Sequence, residues 1–275
     1  MEFTPTDLAP LLVWQYFNCY NFVEKDHSYY YNGKRVSLSV TQYISRFFEE
    51  FDRETISAKY AAKHGKTQEE VLADWDRKGK ISSLAGTAIH SWLENAKRGK
   101  TFEVDYREAE KEGLLEEVKE RVEILLPQAK AFHQDTIGKL FPVQLEYTVG
   151  IRDILAGNID MLCWNAKAQE FQIWDYKNLK EFTTRNFYGK TCLESFYYLE
   201  DTSQSHYSIQ LNMYKAIIQR VLGIKIGKCY LVHFNYEQPG AEFKIYECLD
   251  LQDECNRELD ILENEYGNRT NETRI

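Results

Sequence analysis

No apolar run in this sequence approaches the roughly 18 residues that a membrane-spanning helix needs. The first residues show no basic stretch followed by an apolar segment, so the expectation is a soluble, cytoplasmic protein. Six cysteines occur (Cys19, Cys163, Cys192, Cys229, Cys248 and Cys255), but none form a C-x-x-C pair and none cluster at zinc-ligand spacing. Cys163 and Cys229 fall in strand-like stretches and read as buried free thiols. Internal repeats and low-complexity segments are missing. So is any basic excess: 34 Lys and Arg face 43 Asp and Glu, a net charge of −9. A whole-protein field for nucleic acid is thereby excluded, and such binding must rest on local basic patches or bound cations. That weighs against a sequence-specific DNA reader more than against a nuclease, whose cleft needs carboxylates of its own.

What is present suffices for a packed core. Hydrophobic residues make up 43% and charged residues 28%, which fits one large domain or a core with an added module. Residues 1–66 read as an accessory region. Within it, Asn32-Gly33 between β-prone flanks predicts a tight hairpin, and Ser39 to Phe51 has helical spacing. Thr67-Gln68-Glu69-Glu70 resembles a capping box opening a helix that reaches Lys97, with a break expected near Gly79. A charged helix is predicted from Tyr106 to Leu126, stopping at Pro127, with a further helical turn or two leading to Gly138. The period then changes to strands at Val143–Ile151, Leu155–Trp164 and Phe171–Lys177. A polar, aromatic loop follows, then a helix from His206 to Leu222 and strands at Lys228–Asn235 and Glu242–Leu249. The core order is α-β-β-β-α-β over residues 67–250, with a polar helix and tail over 251–275.

Three constellations carry chemistry. His90 and Glu94 stand at i, i+4 on one helix face, a pair that could bind a cation or lie on a solvated face. Asp160 and Asp175 sit in apolar strands joined by the polar turn Asn165–Gln169, so a hairpin would bring them opposite each other. Asp175 and Lys177, two apart, must share a strand face. Charges in such strands are costly unless paired or bound to metal, whereas an exposed hairpin would make them an ordinary ion pair. Gln210 and Tyr214 form another i, i+4 pair, suited to phosphate, base or backbone contact, or to plain packing. Between the last strand of the meander and that helix, Phe182, Phe187, Tyr188, Phe196, Tyr197 and Tyr198 interleave with Lys180, Arg185 and Lys190. Stacked bases and phosphates would suit this loop, and core packing would explain about half of its aromatics. Glu146, on the preceding strand, is either a further acid near a metal or an exposed residue.

Taken in order, these pieces resemble the PD-(D/E)XK nuclease superfamily, in its RecB-like branch with phage and viral exonucleases. The branch is marked by G-x-x-H-x-x-x-E, G-x-x-D, D-x-K and Q-x-x-x-Y. This chain has Gly86 to His90 (one residue longer), Glu94, Gly157-Asn-Ile-Asp160, Asp175-Tyr-Lys177 and Gln210/Tyr214, spanning roughly residues 80–235. The fold implied is α/β: a restriction-endonuclease-like core whose central mixed sheet is flanked by helices, with an N-terminal hairpin and helices added. The resemblance implies His90, Asp160, Asp175 and the Tyr176 backbone carbonyl as ligands of one or two Mg²⁺ or Mn²⁺ ions, with Glu94 acting directly or through water. Lys177 would position the attacking water and stabilise the transition state, while Gln210 and Tyr214 contact DNA. Lys180, Arg185 and Lys190 are candidate phosphate contacts. No iron–sulfur cluster is expected, because the cysteines lack that spacing. The implied activity is sequence-nonspecific exonuclease cleavage of DNA, linear duplex or single strand, in replication, recombination or processing. A single-strand-binding or recombination protein is a candidate partner, and a phage-encoded chain would act in the host cytoplasm. A structure-selective junction or flap endonuclease, a non-catalytic DNA-binding scaffold and an RNA substrate are the alternatives.

Overall fold

The computed structural model describes residues 15–272. It is a mixed α/β structure whose larger sheet has six strands, parallel and antiparallel. The chain first makes a small antiparallel sheet from β1 (Tyr20–Val23), β2 (Ser28–Tyr31) and β3 (Lys34–Arg35). Asn32 and Gly33 turn it with φ of 48° and 80°. That is the double positive-φ turn that Asn-Gly favours, because neither residue resists the left-handed region strongly.

The larger sheet is built from β4 (Leu38–Ser39), β5 (Leu140–Ile151), β6 (Leu155–Asn165), β7 (Glu170–Leu179), β8 (Ile226–Asn235) and β9 (Lys244–Glu247). Strands β5, β6 and β7 are an antiparallel meander, β8 runs parallel to β7, and β9 returns antiparallel to β8. The N-terminal segment joins this sheet, since β4 lies parallel to β6 at Leu38↔Leu155 and Ser39↔Ala156. The small sheet is moored to the β5–β6 turn. There the Tyr20 hydroxyl donates to the Arg152 carbonyl at 2.8 Å, and its ring lies where a Cβ on Gly150 would have to be.

Helices cover both faces. After α1 (Val40–Ile44) come α2 (Arg53–His64), α3 (Gln68–Lys97), α4 (Arg107–Lys111), α5 (Leu115–Thr136), α6 (Ser203–Leu222) and α7 (Gln252–Glu272). On one face, Leu93 of α3 and Phe132 of α5 pack on Met161, Trp174 and Phe234 of the sheet. On the other, Val40 of α1, Ile217 of α6 and Leu259 of α7 enclose Leu162, Ile173 and Leu231. Among the described residues, no helix is long and apolar enough to cross a membrane.

Several boundaries differ from expectation. Helix α3 opens on the predicted capping box of Thr67 and Glu70 but runs unbroken past Gly79. A glycine there costs about 1 kcal/mol, which the buried stripe Val71, Ile81, Ala85, Ile89 and Leu93 outweighs. The predicted charged helix is instead two: α4, a break at Gly113 (φ 68°), then α5 running straight through Pro127. Proline denies a hydrogen bond only to the carbonyl of exposed Glu123, which water can serve, while Leu125, Ala129 and Phe132 anchor the helix in the core. The helix expected over Ser39–Phe51 shortens to α1 plus one 3₁₀ turn, Ser45–Phe47. Helix α7 buries Cys255, Leu259 and Leu262 against the core, so it is more than a polar tail. Cys163 and Cys229 are buried free thiols.

Candidate metal centre

The site begins where the sheet divides. Strand β6 pairs with β7 only from Met161 to Asn165, and its far end pairs with β4 at Leu155 and Ala156. The edge between, Gly157 to Asp160, has neither neighbour, and β7 continues on β8 alone as far as Leu179. The predicted register is right, but the ladder stops one pair short of Asp160 and Asp175. Asp160 instead turns its carboxylate onto β7, where Oδ2 accepts the Tyr176 backbone N–H at 2.7 Å.

The β5–β6 ladder turns over at the same place. Leu145 and Met161 face each other in the core beneath α3 and α5, whereas Tyr147 and Ile159 face each other on the α6 side. Residues two apart normally share a face. The reversal falls on Glu146 and Asp160, the pair between them, and Glu146 has a φ of 47°. A left-handed conformation at a non-glycine residue costs on the order of 1 kcal/mol and marks a constrained position. Asn158 Nδ2 donates to Glu146 Oε2 at 3.0 Å and holds the carboxylate in place.

Helix α3 closes over this opening and supplies His90. Its Nδ1 lies 3.4 Å from Glu146 Oε1 and 3.5 Å from Asp160 Oδ1, while Nε2 lies 3.1 Å from the Tyr176 carbonyl oxygen. His90, Glu146 and Asp160 offer ligand atoms within 4.8 Å of one another. Behind Asp160, Asp175 is 3% exposed, and Lys177 Nζ stands 2.6 Å from its Oδ2. The angles are not those of a hydrogen bond, so this buried oxygen has a charge partner but no aligned donor. Lys177 Nζ also lies 4.8 Å above the Tyr207 ring of α6.

Electrostatics follow from burying four ionisable groups together. Burial raises the Asp160 carboxyl, and Glu146 raises it further against the opposing pull of His90. Burial and then Asp160 push Asp175 up to about 6, with Lys177 opposing. For His90, burial alone would lower the imidazole, but Asp160 and Glu146 outweigh it and carry it up to about 9. For Lys177, burial likewise pulls down and Asp175 and Asp160 pull up more strongly, so it is an ammonium at neutral pH.

The donor set suits a divalent cation. With Nε2–H donating to the Tyr176 carbonyl, Nδ1 of a neutral imidazole presents a lone pair to two carboxylates. Three acceptors meeting in one place require a proton or a cation between them. His90, Glu146 and Asp160 together are a group that could hold a metal ion.

The remaining sequence-derived residues distribute unevenly. Glu94 shares the α3 face with His90, but its carboxylate is taken by Arg98 at 2.9 Å. The Tyr176 carbonyl lies in the centre and is covered by His90. Tyr214 is buried: Gln210 Nε2 donates to its hydroxyl at 3.0 Å, and its ring occupies the space of a Cβ on Gly157, 2.5 Å from Cε1. Lys180 pairs with Glu237 at 2.9 Å and Lys190 with Glu49 at 2.6 Å, and Arg185 is exposed. Of the loop aromatics, Phe182 and Phe196 pack inside, while Phe187, Tyr188, Tyr197 and Tyr198 are exposed. Sequence reasoning left Glu146 undecided and did not single out Asn158 or Tyr207. Only the alignment of Glu146 opposite Asp160 in the meander could have found it.

No protein-family model matches the chain, and no curated protein matches it.

Proposed function

We propose that this chain is a metal-dependent nuclease of the PD-(D/E)XK type, hydrolysing phosphodiester bonds in DNA as a sequence-nonspecific exonuclease. One observation carries the reading: His90, Glu146 and Asp160 converge on one point at a divided sheet edge, with the Asp175–Lys177 pair directly behind them. The order α3, β5, β6, β7, α6, β8 around that edge supports the same class.

His90 Nδ1, Glu146 and Asp160 would hold the ion, with Asp175 and the Tyr176 carbonyl beside them. A bound Mg²⁺ or Mn²⁺ would polarise the phosphate and make water a better nucleophile at neutral pH. Lys177 presents a fixed positive charge where negative charge develops on the phosphoryl oxygens. Asp175 keeps that ammonium charged and in place from 2.6 Å. The Tyr176 amide fixes one Asp160 oxygen, leaving the other toward His90. The burial of this cluster sharpens each of these interactions by excluding water.

The test incubates the protein with end-labelled linear duplex, its single strands, RNA and closed circular DNA, each with Mg²⁺, Mn²⁺ or EDTA. Metal-dependent loss of linear DNA with intact circles is the expected result. Lys177→Ala and Asp175→Ala should be at least about 100-fold slower while remaining folded. Nicked circles would make the enzyme an endonuclease. A fully active Lys177→Ala protein, or no cleavage of any substrate, would overturn the assignment.

A further inference from the structure

The loop between β7 and α6 carries two aromatic side chains with almost no protein around them. Phe187 is 90% exposed and Tyr188 is 91% exposed. An unsupported loop would be expected to fold such rings inward, because each buries a large apolar area. This loop is braced instead. Asn186 Oδ1 accepts the backbone N–H of Tyr188 at 2.8 Å and of Lys190 at 3.4 Å, and its Nδ2 donates to the Asp201 carbonyl at 2.8 Å. Its own N–H donates to Glu200, and Thr191 bridges Glu200 across the base of the loop. Gly189, at φ 69°, completes the turn. One asparagine therefore ties the turn to the N-terminal end of α6 and holds both rings in solvent.

That mooring leads to the metal centre. Asp201 and Thr183, at the two roots of the loop, line a polar cavity of about 240 Å³ whose wall includes Tyr207. Tyr207 is the ring over which Lys177 Nζ stands at 4.8 Å. Tyr207 thus stands between the root of the loop and Lys177, and Arg185 and Lys190 flank the rings in sequence.

We infer that Phe187 and Tyr188 form a stacking wedge for the unpaired bases of a strand end entering the metal centre. This deepens the nuclease reading and rests on it. The exposure identifies the occupant. Both faces of both rings are bare, so each offers two flat apolar surfaces. Such rings gain most by lying against or between the flat faces of nucleobases, whatever the sequence. With an overall charge of −9 the protein has little general attraction for phosphate, so stacking would add to what local basic groups and bound cations supply. The substrate class that follows is a single strand or a frayed duplex end.

The experiment compares the full chain with its Phe187→Ala/Tyr188→Ala variant on a short single-stranded oligonucleotide carrying 2-aminopurine near its end. Each lost ring should weaken binding about ten-fold or more, and the 2-aminopurine signal should change with the unsubstituted protein only. Mn²⁺ affinity and circular dichroism should be unchanged, because neither ring packs on the core. Equal affinity and equal fluorescence for the two proteins would overturn the wedge while leaving the nuclease reading standing. A variant that binds normally but changes oligomeric state would assign the rings to a second copy of the chain, which also overturns it. If the unsubstituted protein neither binds nor cleaves nucleic acid with metal present, both readings fall together.

Discussion

The Tyr176 amide donates to Asp160 Oδ2 at 2.7 Å, so a carboxylate stands where a neighbouring strand would have accepted that bond. Two substitutions at Asp160 should therefore diverge. Asp160→Ala leaves the buried amide without an acceptor and should cost about 1–3 kcal/mol in the metal-free protein. Asp160→Asn keeps an acceptor and removes a charge whose folded-state pKa is raised, so it should be neutral or stabilising in EDTA. Urea denaturation of both variants in EDTA measures this, and equal losses would show that the amide bond contributes nothing.

Metal should stabilise the fold through three groups and not through a fourth. At about 100 times its dissociation constant, Mn²⁺ should add about 2.7 kcal/mol, read as a rise in melting temperature. Glu146→Gln and Asp160→Asn should remove most of that rise. Glu94→Gln should keep it, because Arg98 already holds that carboxylate. The affinity should also climb with pH up to about 9, since below that point His90 carries a proton that the cation must displace. Calorimetry in buffers of different ionisation enthalpy would count the proton released, and a pH-independent affinity would remove His90 from the ligand set.

Gly157 should not accept a side chain while Tyr214 is in place. A Cβ there would lie 2.5 Å from the Tyr214 ring, so Gly157→Ala should destabilise by about 1–3 kcal/mol. In a Tyr214→Ala background the same change should cost far less. A double-mutant cycle gives the coupling directly, and additive effects would show that the ring simply moves aside.

Lys97 predicts a pH effect of opposite kind to the usual surface lysine. Burial lowers its pKa to about 8, against roughly 10.4 in the unfolded chain. Below pH 8 both states hold the proton and the folded chain bears the full penalty. Between 8 and 10.4 the folded chain has released it and the unfolded chain has not, so stability from this group rises with pH. Lys97→Met removes the half-buried ammonium together with its contacts to the Phe132 ring and the Thr136 hydroxyl, and should on balance stabilise the protein by about 1–3 kcal/mol at pH 7. That advantage should shrink by pH 10 in thermal melts, and a constant difference would contradict the burial argument.

Much of the frame was legible because it is local. The Asn32-Gly33 turn, the Thr67–Glu70 capping box, the three-strand meander and the register that aligns Asp160 with Asp175 all follow from neighbouring residues. Pro127 and Gly79 misled because a buried stripe, which depends on the whole fold, overrode their local preference. The role of Glu146 depended on a positive φ and on the ladder turning over, and neither leaves a mark in composition. Glu94 was misleading for the converse reason: helical spacing placed it correctly beside His90, but a basic residue one turn on captured it.

The short pairing of β4 with β6 has a consequence for how the chain acquires its shape. Leu38 can meet Leu155 only once the chain between them, α1 through β5, has been made. Contacts between residues so distant in sequence are slow to form, since the intervening loop must close first. The segment synthesised early therefore waits for a late one. A chain in which this pairing has not formed carries the acids without the strand that bounds the divided edge.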